Sequence, residues 1–248
     1  MYTFFIRLAE IDISVTCLYE QTVEFCQDYR IPQLRDDFVE VKIEETDLEM
    51  EREKAKREYG DAHVQFSEPY LETLAVYRQI ARQVTKYGII LFHGSVVAVD
   101  GEAYLFTAPS GTGKSTHTRL WREVFEDRAF MVNDDKPLLK LCEDGTVKAY
   151  GTPWAGKHGL SRNVGIPLKG ICILARGEQN RICRLSATEA FSTMFQQTYR
   201  PANQSEVMKE TLQILNHVMG IGIWRLECTI SKEAVKLSYE AMSGKELL

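Results

Sequence analysis

Residues 108–116 read Ala108-Pro109-Ser110-Gly111-Thr112-Gly113-Lys114-Ser115-Thr116. An apolar run at residues 103–107 precedes this stretch, and an amphipathic helix pattern follows it from Ser115 to about Phe125. A strand, a glycine-rich turn and a helix in this order are the context of a phosphate-binding P-loop. The backbone N–H groups of such a turn hold phosphate oxygens, and the helix N-terminus adds partial positive charge. The sequence therefore predicts a phosphate-binding site here.

The side chains of this P-loop have predictable tasks. We assign phosphate binding to residues 110–116, with Lys114 reaching the β- and γ-phosphates and the Ser115 hydroxyl binding Mg²⁺. The strict pattern begins with glycine, where this chain has Ala108, but Gly111 and Gly113 keep the inner turn open. The alternative is a Gly/Ser turn that carries a lysine by chance. The flanking strand and helix patterns disfavour that alternative.

Composition restricts the function classes. The 248 residues are enough for one α/β domain with a small N-terminal appendage. A formal net charge of −5 argues against general nucleic-acid binding, and the six cysteines form no C-x-x-C pair that would indicate a zinc site. The first residues lack the pattern of a signal peptide, and no segment has membrane-spanning length. We therefore expect a cytoplasmic protein.

The part of the chain before the P-loop domain carries no recognisable chemistry. Alternating patterns predict strands within residues 4–18 and 38–43. The charge run at residues 48–59 mixes both signs, which is typical of a solvated helix or loop. We predict an α+β region of unknown role at residues 1–88 and a P-loop catalytic domain at residues 89–248.

A histidine lies in the apolar run that leads to the P-loop. Residues 89–99 are predicted to form a strand region, which an Asp100-Gly101 turn joins to the strand before the P-loop. This arrangement would place His93 in a strand adjacent to the phosphate-binding strand. A lone histidine in an apolar run is often a core residue. Both a structural and a functional role therefore stay open for His93.

Two adjacent carboxylates follow the next predicted strand. Residues 129–132 are apolar and end in Asn133-Asp134-Asp135. A P-loop enzyme places its Mg²⁺ carboxylate at the end of such a strand. Two adjacent carboxylates can divide the work, one binding the metal and the other accepting a proton. The alternative is a plain polar turn.

A glycine-rich loop follows the hairpin after these carboxylates, and it reads Gly151-Thr152-Pro153-Trp154-Ala155-Gly156-Lys157-His158-Gly159. We favour a substrate or phosphate loop with hinges at its glycines, which would let Lys157 meet the transferred phosphoryl group or the acceptor. Arg176, at the end of a predicted buried strand, is a second candidate cation. The alternative is that Trp154 packs into the core and Lys157 faces solvent.

Taken together, His93-Gly94, the P-loop and Asp134-Asp135 resemble the catalytic domain of HPr kinase/phosphorylase, which shares its P-loop architecture with phosphoenolpyruvate carboxykinase. The motifs cover residues 91–147. The resemblance implies an α/β fold with a mixed, P-loop-bearing sheet, and transfer of a nucleotide γ-phosphoryl group to a serine hydroxyl. By motif position, it implies that His93 is the active-site histidine, Asp134 the catalytic carboxylate and Asp135 its metal-binding neighbour.

Two parts of the chain depart from that family, and the first is the N-terminal part, which does not resemble the N-terminal domain of that kinase. The arginine-containing segment linked to the phosphorylase reaction is not found, and the glycine-rich loop stands in its place. In this respect the chain is similar to small HPr-kinase-related proteins that accompany modified-peptide biosynthesis clusters. We expect a kinase that uses ATP and Mg²⁺ and phosphorylates a hydroxyl, with serine of a peptide or protein as the favoured acceptor.

Two other functions stay open. One is a nucleotide-binding regulatory or scaffold protein without transfer, and the other is a small-molecule kinase. The histidine and the second carboxylate favour an enzyme, because binding alone does not need them. Neither a nucleic acid nor a membrane is expected as a partner, and a homo-oligomer stays open.

Overall fold

The chain divides after Val84. The computed structural model describes residues 1–60, 66–201 and 204–247. These residues form two units, Met1–Val84 and Thr85–Leu248. The boundary expected from the sequence, between residues 88 and 89, lies within a few residues of this division. The separate roles given to the two parts stay predictions.

The N-terminal unit is a three-stranded sheet with helices. Its first two strands form an antiparallel hairpin, and the third pairs with the second in parallel. The buried carboxylate of Glu72 accepts hydrogen bonds from the Leu18 and Tyr19 N–H groups and from the Thr22 hydroxyl, so its negative charge is compensated by donors. The elements are β1 (Tyr2–Leu8), β2 (Ile11–Cys17), α1 (Glu20–Phe25), β3 (Phe38–Lys42), α2 (Glu45–Tyr59) and α3 (Glu68–Gln83).

The second unit contains a mixed sheet, in which nine strands lie within the described residues. These are β4 (Ile89–Leu91), β5 (Ser95–Val99), β6 (Glu102–Thr107), β7 (Ala129–Asn133), β8 (Leu138–Leu141), β9 (Val147–Tyr150), β10 (Gly165–Arg176), β11 (Arg181–Leu185) and β12 (Ile223–Cys228). Neighbours follow the order β4-β8-β9-β10-β6-β5-β7, and β12 pairs with β10 and β11. The long strand β10 is parallel to β6 and β12 but antiparallel to β9. The expected α/β class with a mixed sheet is confirmed.

Helices cover both faces of this sheet. They are α4 (Lys114–Phe125), α5 (Ala187–Gln197), α6 (Ser205–Met219) and α7 (Lys232–Ser243). In β6, Tyr104 and Phe106 pack with Trp121 of α4 and Tyr239 of α7, whereas Leu105 belongs to the opposite core with residues of α5 and α6. Because both faces are buried, the central strands read as continuous apolar runs.

Residues 89–99 do not form one strand, and the expectation that His93 lies in a strand is wrong. Strand β4 pairs with β8, whereas β5 pairs with β6 and β7, and His93-Gly94 lie in the connection. The His93 N–H donates to the Gln197 carbonyl at 2.7 Å and the Gly94 N–H to the Asp135 carbonyl at 3.1 Å. The apolar pattern hides this break because β4 and β5 are both buried.

Other predicted features agree with the structure. The Asp100-Gly101 pair forms the two-residue turn between β5 and β6, with φ values of +51° and +81°, as a type I′ hairpin requires. The mixed-charge run after Leu48 lies in helix α2. Among the described residues, no helix combines the length and the apolar character needed to cross a bilayer.

Candidate active site

The P-loop lies between β6 and α4. Strand β6 ends at Thr107 and helix α4 begins at Lys114, so the predicted order of strand, turn and helix is confirmed. Gly111 and Gly113 have φ values of +76° and +122°. Residues other than glycine adopt such backbone angles only at a cost in conformational energy. Ala108, where the strict pattern has glycine, is fully buried in the core cluster of Trp121 and Phe106. The methyl group of Ala108 is therefore accommodated in the hydrophobic core.

Lys114 lies across the turn. Its Nζ donates to the Ala108 carbonyl at 2.9 Å. Burial lowers the pKa of Lys114, while the negative charges of Asp135 and Asp134 oppose this shift. The ammonium group is thus electrostatically coupled to both carboxylates, and the three charged groups share one region of the protein.

Asn133 shapes the turn that carries the carboxylates. Its Oδ1 accepts hydrogen bonds from the N–H groups of Asp135 at 2.9 Å and Lys136 at 2.7 Å. Its Nδ2 donates to the carbonyl and hydroxyl oxygens of Thr152, at 3.0 and 3.1 Å. An asparagine that bonds the backbone two and three residues later fixes a tight turn. Asn133 therefore fixes the backbone turn that carries the two aspartates and links this turn to the glycine-rich loop.

The two aspartates have different surroundings. Asp134 is buried, and its Oδ1 accepts a hydrogen bond from the Ser95 hydroxyl at 2.7 Å. Asp135 has 31% of its side chain exposed, and its Oδ1 lies 3.2 Å from His93 Nε2 and 3.0 Å from Lys136 Nζ. Burial raises the pKa of Asp135, but His93 and Lys136 outweigh it and the net shift is downward. Asp135 therefore stays ionised at neutral pH.

The structure places His93, Lys114, Asp134 and Asp135 near one another, and their separate roles stay predictions. It adds residues that sequence reasoning missed: Ser95, Asn133, Lys136 and Thr152. A usable signal existed for Ser95, since it is a hydroxyl in an otherwise apolar strand two residues after His93. The contribution of Thr152 depends on a loop contact that no local pattern encodes.

The glycine-rich loop has two different halves. Trp154 is only 6% exposed, and its carbonyl accepts the Lys136 N–H at 3.1 Å. A Cβ built on Gly156, whose φ is +64°, would lie 3.3 Å from the Asp135 Cβ. Lys157 and His158 are exposed. Both parts of the alternative, a packed Trp154 and a solvent-facing Lys157, thus agree with the structure. Lys157 follows Gly156, the close neighbour of Asp135.

Gly151 is a close-packed residue, so the expectation of a hinge at this position is wrong. A Cβ there would overlap the Arg162 carbonyl oxygen and would lie 2.6 Å from the Val132 carbonyl oxygen and 2.8 Å from Ser161 Oγ. Two backbone segments approach each other through this position, which only glycine permits. Gly151 therefore anchors the start of the loop.

We expect Gly151→Ala to lower the free energy of unfolding by about 1–3 kcal/mol, because the methyl group must displace backbone atoms. Denaturant unfolding measures the change. Gly220→Ala is the matched control, since that glycine has an ordinary helical φ and its added Cβ would meet one atom, at 3.2 Å. Equal stability of the Gly151→Ala variant and the wild type would contradict the packing role.

Arg176 lies beside the P-loop rather than apart from it. It is the last residue of β10, and its Nη2 donates to the Gly111 carbonyl at 2.5 Å. Its Nε lies 3.5 Å from the Thr112 carbonyl, and the side chain is exposed. The structure thus places this second predicted cation on the turn that carries Lys114.

These residues fit a nucleotide phosphate with a divalent cation. The turn offers backbone N–H groups and Lys114 to an anion, and the ionised Asp135 carboxylate is the type of ligand that Mg²⁺ prefers. Among the described residues, no group of three or more His, Cys, Asp or Glu side chains could hold a metal ion. A Mg²⁺ ion that is bound by one or two protein ligands keeps water and substrate phosphates in the rest of its shell. Ser115 and Asp135 would be its protein ligands.

Comparisons with known proteins place the chain in a family. A search of curated proteins gave no match. Among solved structures, the HPr(Ser) kinase/phosphatase from Coxiella burnetii is similar at 15% sequence identity and a TM-score of 0.28, over 53% of this chain and 92% of that chain. The family model described as "SynChlorMet cassette protein ScmC" matches residues 65–231, which is more than half of the sequence. The chain therefore belongs to the ScmC family of SynChlorMet cassette proteins.

Proposed function

We propose that this chain is an ATP- and Mg²⁺-dependent kinase that phosphorylates a hydroxyl group, namely that of a serine residue in a peptide or protein. The observation that carries the proposal is the single site in which the P-loop lysine is coupled to two adjacent carboxylates, one of them paired with His93. A P-loop alone would serve binding. A buried carboxylate with a fixed orientation and a histidine–carboxylate pair are features of proton handling.

Binding is the task of the P-loop and its neighbours. The N–H groups of residues 110–116 and the Lys114 ammonium hold phosphate oxygens, and Ser115 and Asp135 bind the metal. ATP supplies the phosphoryl group, and Mg²⁺ offsets its negative charge. Arg176 and Lys157 supply further positive charge at the edge of the turn and at the loop.

Asp134 accepts the proton of the acceptor hydroxyl. Its Oδ1 is held by the Ser95 hydroxyl, so the carboxylate has a fixed orientation and Oδ2 is the oxygen available to the proton. His93 orients the neighbouring Asp135 through Nε2. These positions divide the two carboxylates between proton transfer and metal binding.

The choice of a peptide or protein acceptor is supported by the motif resemblance to HPr kinase. The direct test is transfer from ATP labelled at the γ-phosphate, in a lysate of the source cell, followed by separation of protein from small molecules. We expect an acid-stable, alkali-labile label on a polypeptide, as phosphoserine gives. Label only in a small-molecule fraction would indicate a small-molecule kinase, and no transfer would favour a regulatory role.

Lys157→Ala is expected to lower turnover with the acceptor by about 10-fold and to change ATP affinity less than twofold. The reason is that Lys157 is exposed and follows Gly156, whose backbone packs near Asp135, so that its cation stabilises charge on the transferred group more than on the bound nucleotide. Lys209→Ala is the control, an exposed lysine on α6. Equal turnover in the two variants would remove Lys157 from the site.

A further inference from the structure

A cavity of about 430 Å³ lies beside the P-loop. Thr116, His117 and Leu120 of α4 form one wall, and Leu174 at the end of β10 forms part of another. The backbone of residues 111–113 also lines it, so the cavity is continuous with the phosphate-binding turn. This volume is within the range of small-molecule sites, which are mostly apolar with a few placed polar groups.

His117 is the buried polar side chain of this cavity wall, with 4% of its surface exposed. Trp121 Nε1 donates to His117 Nε2 at 3.1 Å. The indole N–H also has Ser238 Oγ as an acceptor at 3.2 Å, and an unprotonated Nε2 serves both contacts, so we assign the ring proton to Nδ1. Within the described part of the chain, Nδ1 has no hydrogen-bond partner, since the contacts of the ring with Trp121 and Ser238 both use Nε2. The side chain thus offers a donor without a protein acceptor.

The lining of the cavity includes an exposed aliphatic side chain and a cation. Ile230, which follows β12, is 77% exposed although it is a large aliphatic residue. Arg176 also lines the cavity, and its bonds to the Gly111 and Thr112 carbonyls hold the guanidinium group at the edge. A planar guanidinium and an aliphatic side chain both pack favourably against flat aromatic rings.

We infer that this cavity receives the nucleoside part of the nucleotide, with the His117 Nδ1–H group donating a hydrogen bond to it. The inference rests on the proposed function, and it assigns the recognition of the nucleoside to the residues that line this cavity. Because the cavity is continuous with the P-loop, one nucleotide would occupy both. The cavity and the phosphate site therefore bind the same molecule.

The test compares two ligands that share a phosphate chain. Mg²⁺–ATP and Mg²⁺–tripolyphosphate are titrated against the full chain, the second by competition if its heat is small. We expect the wild type to bind ATP more tightly than tripolyphosphate. In His117→Phe, we expect ATP affinity to fall about 5- to 10-fold and tripolyphosphate affinity to stay within twofold, since one hydrogen bond to the nucleoside is lost.

A second variant does not depend on the buried core. Ile230→Ser changes an exposed residue, so the fold is preserved, and we expect a similar selective loss of ATP affinity from reduced packing. Lys114→Ala is the control that must weaken both ligands. If His117→Phe and Ile230→Ser leave ATP affinity unchanged, or weaken both ligands equally, the nucleoside site is wrong while the phosphate site stands. If the wild type binds neither ligand, the proposed function itself fails.

Discussion

Lys114→Ala is expected to reduce phosphoryl transfer by about 10³-fold or more and to weaken Mg²⁺–ATP binding by about 10- to 100-fold. The substitution removes the lysine cation of the P-loop, whose ammonium is coupled to Asp135 and Asp134. Burial lowers its pKa, because removal from water disfavours the charged form of the side chain. An anion that contacts this ammonium gains a charge-assisted hydrogen bond, which the alanine variant loses.

The measurement is ATP titration together with transfer of labelled phosphate. Because the side chain bonds only to the Ala108 carbonyl among the described residues, we expect the melting temperature to stay close to that of the wild type. Lys209→Ala, on the exposed face of α6, controls for the loss of one positive charge. Unchanged nucleotide affinity and turnover in the Lys114→Ala variant would overturn the P-loop assignment.

The second large effect separates the two carboxylates. We expect Asp134→Asn to spare nucleotide binding and to lower transfer by about 10²-fold or more, because an amide cannot accept the hydroxyl proton. We expect Asp135→Asn to raise the Mg²⁺ concentration needed for half-maximal activity, because a metal ligand loses its charge. The contrast follows from their surroundings, since Ser95 holds Asp134 and His93 pairs with Asp135.

Asp144→Asn in the β8–β9 turn provides the matched control, because it makes the same chemical change away from the site. Activity is measured against Mg²⁺ concentration for all three variants. If Asp134→Asn and Asp135→Asn change only the metal requirement, Asp134 is not the proton acceptor. If neither has an effect, the kinase proposal fails and a regulatory nucleotide-binding protein becomes the better explanation.

Much of the fold was determined by the sequence because it follows from local rules. The two-residue turn at Asp100-Gly101 adopts the positive φ values that its residues favour. Gly111 and Gly113 permit the P-loop turn, and the Ser186/Glu189 pair caps helix α5. Each signal lies within a few residues of the structure that it specifies, so neighbouring residues suffice to predict it.

The sequence also predicted those candidate site residues that directly follow the end of a predicted strand or its turn. Lys114 follows the glycine turn, and the Asp134-Asp135 pair follows an apolar strand. The rule that ligands meet at the ends of strands then brings them together without knowledge of the full fold. Their division of labour was not determined in this way, because it depends on which distant side chains surround each carboxylate.

Only the tertiary structure decided those surroundings. The extended segment is interrupted between β4 and β5. This interruption places His93 beside Asp135 and Ser95 beside Asp134. It buries Trp154 while leaving Lys157 exposed. Such contacts join residues far apart in the chain, and burial of both sheet faces removes the periodicity that would reveal them.

The same holds for Gly151 and His117. Gly151 reads as a hinge in a loop of glycines, but packing of the Val132 and Arg162 carbonyls around it makes it an anchor. His117 reads as one more polar residue of a helix, but the indole of Trp121 donates to its Nε2 and the ends of β10 and β12 place it in a cavity wall. Sequence determined which residues are available, and close packing of distant segments determined what each of them contacts.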